Sequence, residues 1–199
     1  MIVDYLDPWP RTMLDIGVGP GTEAITLYNF EPPYDNTFEV YGLEPHPERF
    51  KQIKESGYPG TLLPFGVWSS LEIKTLYSQP ANELAKPAPS VYCDEGSLYG
   101  RSDKVICFTL DWLDRYFNFT PPIRLWADIE GAELEMLWGA KDFLDKVTCI
   151  NLEMRDTPRT EKSCTAEQLR VVLSYHGFKL VHEYNHSDDV FRDGIWVKK

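Results

Sequence analysis

Met13-Leu14-Asp15-Ile16-Gly17-Val18-Gly19-Pro20-Gly21-Thr22 is the stretch on which the fold turns. Met13 to Ile16 is apolar apart from one acid and reads as the end of a buried strand. Three glycines follow at alternate positions, and Glu23 to Tyr28 then opens a helical pattern. Strand, glycine turn and helix, in that order, are how an α/β sheet brings its backbone close to a nucleotide-like ligand.

The charge of the stretch narrows the ligand. A dinucleotide fingerprint needs Gly or Ala in the slot held here by Thr22, and it offers free helix N–H groups to a pyrophosphate. Pro20 removes one such N–H. Asp15 lies two residues before Gly17, where a carboxylate repels a diphosphate and attracts a cation. Opposite charges a few ångströms apart in a partly dry cleft are worth roughly 1–4 kcal/mol. S-adenosylmethionine carries a sulfonium and an ammonium and no phosphate. The Asp-x-Gly-x-Gly-x-Gly pattern resembles motif I of the class I methyltransferases. That resemblance assigns Asp15, Gly17, Gly19 and Gly21 to this cofactor.

Composition sets the frame. The chain has 199 residues, 43% of them hydrophobic, a net charge of −11 and a pI near 4.8. One domain spanning 1–199 is expected. The acidity argues against a nucleic-acid partner, which favours a basic face. No apolar run is long enough to span a bilayer, and the start of the chain lacks a signal-peptide pattern. Cys93, Cys107, Cys149 and Cys164 show no C-x-x-C spacing, so free thiols in a cytoplasmic protein are expected. Composition sets no oligomeric state.

The first helix is expected from about 21 to 30, followed by a turn-rich loop over 31–36. Phe38–Glu44 reads as the second strand. Pro47 opens a helix through Glu55, with Gly57 as its stop. Thr61–Trp68 reads as a third strand, at an edge or bent by Pro64. Residues 69–104 read as an insertion or lid over the active-site face, with a plain surface loop as the alternative. Leu71–Tyr77 alternates like a strand within it. Val105–Leu110 and Ile123–Asp128 read as strands, the latter central, with a short helix Asp111–Phe117 between them. Glu130–Phe143 is expected as one helix. Val147–Met154 is a further strand. Cys164–His176 is a helix capped by Ser163 or Thr165 and closed by Gly177. Phe178–Tyr184 and Val190–Lys198 form a terminal strand pair. Alternating strands and helices predict an α/β Rossmann-like fold with a mostly parallel twisted sheet and an antiparallel C-terminal edge. Ligands of such sheets lie outside the carboxyl ends of the strands, where Asp15, Glu44 and Asp128 fall.

Glu44 ends the strand after the glycine turn, a place from which a carboxylate accepts both hydroxyls of a ribose. Arg124-Leu-Trp-Ala-Asp128-Ile-Glu130-Gly131-Ala-Glu133 is a second dense stretch. It puts Asp128 at a strand tip and two more acids in the next turn. Crowding among acids raises a carboxyl pKa and makes a proton acceptor; helix capping is the structural alternative.

Asp128-Ile-Glu130-Gly131-Ala-Glu133 through Gly139-Ala140 resembles the D-x-E-G-A-E-x-x-x-L-x-G-A signature of FkbM-type methyltransferases. Leu43-Glu44-Pro45-His46-Pro47 is similar to that family's E-P-x-P segment. Thr109-Leu110-Asp111-Trp112-Leu113 resembles its T-L-D-x-L segment, and Phe65-Gly66-Val67-Trp68 sits where its third strand meets the adenine. The resemblance covers most of 13–154. It implies the class I fold, S-adenosylmethionine, and O-methylation of a sugar or natural product. Cofactor contacts then fall on Asp15, Gly17, Gly19, Gly21, Glu44, Pro45, Val67, Trp68 and Asp128. Asp128 or Glu130 takes the proton of the acceptor hydroxyl. The family commonly has Lys two residues before the first acid of D-x-E-G, where this chain has Trp126. That departure keeps open a cofactor-binding partner subunit without catalysis. A protein or RNA methyltransferase and a nicotinamide-dependent oxidoreductase also stay open, and acidity counts against RNA.

No metal site is assigned. His182, His186, Asp188 and Asp189 read as a solvated hairpin tip, and Asp128, Glu130 and Glu153 are the acids able to converge on a divalent ion. No G-x-S-x-G and no P-loop occur, so acyl and phosphoryl transfer lack support. Trp68, Trp112, Trp126, Tyr92 and Tyr99 are candidates to stack on a ring, with core packing as their default.

Overall fold

The computed structural model describes residues 10–19, 38–78, 90–91, 100–158, 160–185 and 191–199. The expected first helix, Gly21, Cys93, Tyr92, Tyr99 and the hairpin tip at 186–189 lie outside the described residues.

Strands β1 (Thr12–Ile16), β2 (Glu39–Leu43) and β3 (Thr61–Leu63) lie in one large sheet, with helix α1 (Pro47–Glu55) between the last two. The chain continues through β4 (Gly66–Val67), β5 (Glu72–Ser78) and β6 (Arg101–Phe108), which form a second, smaller sheet. Helix α2 (Leu110–Phe117), strand β7 (Ile123–Ala127), helix α3 (Glu133–Trp138) and strand β8 (Val147–Met154) follow. Helix α4 (Ala166–Tyr175) and strands β9 (Phe178–Asn185) and β10 (Arg192–Lys198) complete the fold.

The large sheet runs β3-β2-β1-β7-β8-β10-β9. Its members from β3 to β8 pair in parallel, and β10 slots antiparallel between β8 and β9. The register fixes the site. Ile16 is level with Leu43 on one side and Ala127 on the other. Gly17, Glu44 and Asp128 therefore leave the sheet side by side. Two backbone bonds lock that edge, Gly17 N–H to Leu43 O at 2.9 Å and Asp128 N–H to Ile16 O at 3.1 Å.

Strand alternation gives the sheet two unlike faces. Leu14, Ile16, Leu125, Ala127, Ile150 and Leu152 pack with Leu113 of α2, Leu137 of α3 and Leu169 and Leu173 of α4. Each buried Leu or Ile among them contributes roughly 1.5–3 kcal/mol. The intervening residues include buried Asp15, Arg124, Asn151 and Glu153. Arg124 donates from Nη2 to Asn151 Oδ1 at 2.7 Å.

Two expected elements are corrected. The strand read over Thr61–Trp68 is two strands in two sheets. Pro64 has no N–H to continue the ladder, and the chain crosses there from β2 to pair with β6 through Gly66 and Val67. The helix read over Glu130–Phe143 is confined to Glu133–Trp138. Glu130 (φ +58) and Gly131 (φ +99) are left-handed and cannot begin it. Beyond Gly139, Asp111 Oδ1 accepts the N–H groups of Asp142 (3.0 Å) and Phe143 (2.8 Å), drawing the chain into a separate 3-10 turn at Phe143–Lys146. Thr165 caps helix α4, its hydroxyl and backbone forming a capping box with Gln168.

Trp68, Leu76, Val105 and Cys107 pack the small sheet against Ala132, next to the acid-bearing loop. Cys107, Cys149 and Cys164 are buried free thiols. Among the described residues no helix is long and apolar enough to cross a membrane.

Candidate active site

The glycine turn touches the neighbouring loop as closely as backbone permits. Gly17 sits at φ +77, and a Cβ there would stand 2.1 Å from the carbonyl oxygen of Asp128. Beside the turn, Glu44 is 4% exposed. Its Oε2 accepts the Gly19 N–H at 3.3 Å and its Oε1 the His46 N–H at 2.8 Å. Burial raises the Glu44 pKa, against the opposing pull of those N–H groups and of Arg49. His46 caps α1 by accepting the Arg49 N–H on Nδ1 at 3.3 Å, and its Nε2 lies 3.0 Å from Ser78 Oγ on β5. Burial lowers the His46 pKa, which keeps the ring neutral for that cap.

These elements wall a cavity of ≈ 260 Å³. Gly17, Gly19, Glu44, Pro45, Val67, Trp68, Asp128 and Glu130, all singled out in the sequence, line it. Leu76, Ser90 and Val91 from the 69–104 stretch line it too, as do Arg49, Phe65 and Cys107. Lys74 Nζ lies 4.0 Å from the centre of the Trp68 ring.

Asp15 does not reach this wall. It is 1% exposed and, by strand alternation, faces the side of the sheet opposite Ile16. The Tyr58 hydroxyl donates to its Oδ2 at 3.2 Å. Among the described residues lining the cavity the carboxyls are those of Glu44, Asp128 and Glu130, and the cationic side chain is that of Arg49. Sequence reasoning misses Tyr58. Its signal is Gly42 in mid-strand, since a Cβ at Gly42 would stand 2.6 Å from the Tyr58 ring. Tyr58→Phe removes a donor from a buried acid, and a loss of about 1–3 kcal/mol is expected in chemical denaturation.

On the far side of the turn, the chain leaves β7 into an acid loop. Asp128, Glu130 and Glu153 each bring a carboxylate oxygen within 4.8 Å of the others. A guanidinium supplies the balancing charge: Arg155 Nη2 lies 2.6 Å from Glu153 Oε1 and 3.9 Å from Glu130 Oε2. The Asp128 pKa is raised well above its ordinary value, first by loss of solvent around the carboxyl, then by the charges of Glu153 and Glu130. Asp128 is nonetheless exposed to the cavity space, so the like charges are the firmer cause. Glu133 is 1% exposed and accepts the N–H groups of Ile129 (3.1 Å) and Gly131 (3.3 Å) on Oε1. Trp126, in the place of the family's Lys, has the Arg124 guanidinium 5.7 Å from its ring centre.

The fold matches those of solved proteins with bound SAM or SAH. Magnesium protoporphyrin IX methyltransferase from Synechocystis PCC 6803 with bound SAH superposes with a TM-score of 0.51 at 14% identity, over 100% of this chain and 80% of that one. LepI in complex with SAM gives 0.52 at 12% identity, over 100% of this chain and 46% of that one. These likenesses establish the architecture. No curated protein matches the sequence. The model of the methyltransferase FkbM domain matches residues 15–180, well over half of the chain. This chain belongs to the FkbM methyltransferase family.

Proposed function

We propose that the cavity binds S-adenosylmethionine and that the enzyme methylates a hydroxyl on a small molecule or sugar. The observation that carries this reading is the pair of acid-bearing strand tips, Glu44 on β2 and Asp128 on β7, flanking the glycine turn on one cavity. The residues present fit the cofactor. The Glu44 oxygens are each oriented by one backbone N–H and keep lone pairs for two ribose hydroxyls. Val67 and Trp68 offer an apolar slot for adenine. The excess of acids on the wall favours a cation over a diphosphate.

When bound, S-adenosylmethionine supplies a methyl group on a positively charged sulfur. The chain's own task is alignment and proton handling. Holding an acceptor oxygen in line is worth roughly 7–11 kcal/mol. Asp128 or Glu130 takes the hydroxyl proton, and the raised pKa of Asp128 makes its carboxylate a stronger base than an ordinary aspartate. Leu76, Ser90 and Val91, on the cavity wall, support reading the 69–104 stretch as a cover for the active-site face within a single domain. The buried free thiols suit a reducing, cytoplasmic setting.

Calorimetry tests the cofactor. S-adenosylhomocysteine is expected to saturate the site and NAD to leave it unfilled; the reverse overturns the reading. A screen of sugars and hydroxylated aromatics with methyl-labelled donor tests the acceptor. Of Asp128→Asn and Glu130→Gln, the variant lacking the base is expected to lose about 10²–10⁴-fold in kcat, with S-adenosylhomocysteine affinity changed less than tenfold.

A further inference from the structure

The geometry points to Glu133 as a positioning residue whose buried carboxylate clasps the Asp128–Ala132 loop and so sets how Asp128 and Glu130 face the cavity. One oxygen, Oε1, holds the N–H groups of Ile129 and Gly131, the two residues flanking Glu130. Glu130 has φ +58, a backbone state that persists only when its surroundings hold it. The other side of the loop is pinned by Cys164, whose N–H donates to Gly131 O at 3.2 Å. Cys164 Sγ lies 3.4 Å from Glu133 Oε2. The clasp therefore joins the loop, the start of α3 and the turn before α4.

An ionised acceptor holds two N–H groups more strongly than a neutral one. The groups facing Glu133 do not fix its charge. The Cys164 thiol is pushed up to about 12 and stays protonated. Glu153 on β8 is a like charge already paired with Arg155, and Asp128 is a further acid. Burial pushes Glu133 itself up to about 7, so the clasp loses its charge as pH falls through neutrality. A carboxyl whose folded pKa is raised contributes stability that is complete below its ordinary pKa and lost as pH rises through the folded value. Through Glu133, global stability and loop retention are thus driven in opposite directions: on acidification from pH 8 to pH 6 its contribution to the fold grows and the loop loosens, while His46, whose pKa burial lowers, pulls stability the other way.

The role rests on the assignment of Asp128 and Glu130 to the reacting side of the cavity. Amide hydrogen exchange on the full chain tests it without a methyl acceptor. After correction for intrinsic exchange, protection of Ile129 and Gly131 is expected to fall about fivefold from pH 8 to pH 6 while the parent's Tm gains on that of Glu133→Gln. Glu133→Gln keeps the shape without the titration, so its protection is expected to be flat, at the parent's pH 6 level. Flat protection in the parent, an equal pH response in Glu133→Gln, or protection that rises on acidification each overturns the proposal. The parent's pH series stands even if the variant folds poorly. Calorimetry with S-adenosylhomocysteine separates the two readings. A failure to bind removes the cofactor assignment and leaves the exchange result intact.

Discussion

Replacing Glu44 with Ala is expected to weaken S-adenosylhomocysteine binding at least 100-fold in calorimetry at pH 8. Each hydrogen bond to an ionised acceptor is worth about 1.5–3 kcal/mol, and the proposed ribose offers two. A 100-fold loss corresponds to about 2.7 kcal/mol, a little under the sum of about 3–6 kcal/mol for two such bonds because water refills part of the space. The same substitution strips an acceptor from the Gly19 and His46 N–H groups, so the glycine turn and the cap of α1 both loosen. Glu44→Gln keeps the shape and one carbonyl oxygen, and a loss of about tenfold is expected. Burial has raised the Glu44 pKa. The parent's affinity should therefore decline on acidification at a higher pH than an ordinary glutamate would give, and the Gln variant should lack that decline. Affinity within twofold of the parent for both variants would remove Glu44 from the ribose.

The fold was legible wherever local pattern and tertiary structure agree. Apolar strand ends followed by Gly17, Glu44 and Asp128 marked the carboxyl edge of the sheet, and register places all three there. Pro47, Thr165 and Gly177 marked helix boundaries because capping is local chemistry. Periodicity failed where a distant contact decides. Leu134, Leu137 and Ala140 carry a helical stripe, yet Asp111 on α2 draws off the chain near Phe143. The apolar run Thr61–Trp68 carries no sign that its halves join different sheets, apart from Pro64.

The candidate site was legible as residue types more than as directions. Glu44, Val67, Trp68, Asp128 and Glu130 all meet one cavity. Asp15 shows the limit. The motif names an acid, but strand alternation decides which face it takes, and here Tyr58, 43 residues away in the chain, receives it. The described cavity wall carries the carboxyls of Glu44, Asp128 and Glu130 from the neighbouring strand tips and loop. Arg155 carries no sequence signal toward the acid loop for a like reason: Glu153 is its near neighbour in the chain, but Glu130 comes from another element and meets them only in three dimensions.

Gly17→Ala is expected to cost more than 3 kcal/mol in denaturant unfolding, and the argument separates into two parts. The first is conformational. At φ +77 any L-residue pays roughly 1–2 kcal/mol. The second is steric. The new methyl would stand 2.1 Å from Asp128 O and 3.0 Å from Ile129 Cγ2. The nearer atom is backbone, so no rotamer change relieves it. Relief requires the ends of β1 and β7 to part, which breaks the Asp128 N–H to Ile16 O bond and shifts the loop that carries Asp128 and Glu130. Gly57→Ala is the control, because Gly57 has φ +85 with nothing within 4 Å of the added atom. It should lose only the conformational part, about 1 kcal/mol, and bind S-adenosylhomocysteine as the parent does. Gly17→Ala should lose binding at least tenfold as well as stability. Equal losses in the two variants would mean that the β1 turn and the acid loop do not touch, and the cavity would then lack the shared wall on which Glu44 and Asp128 are brought together.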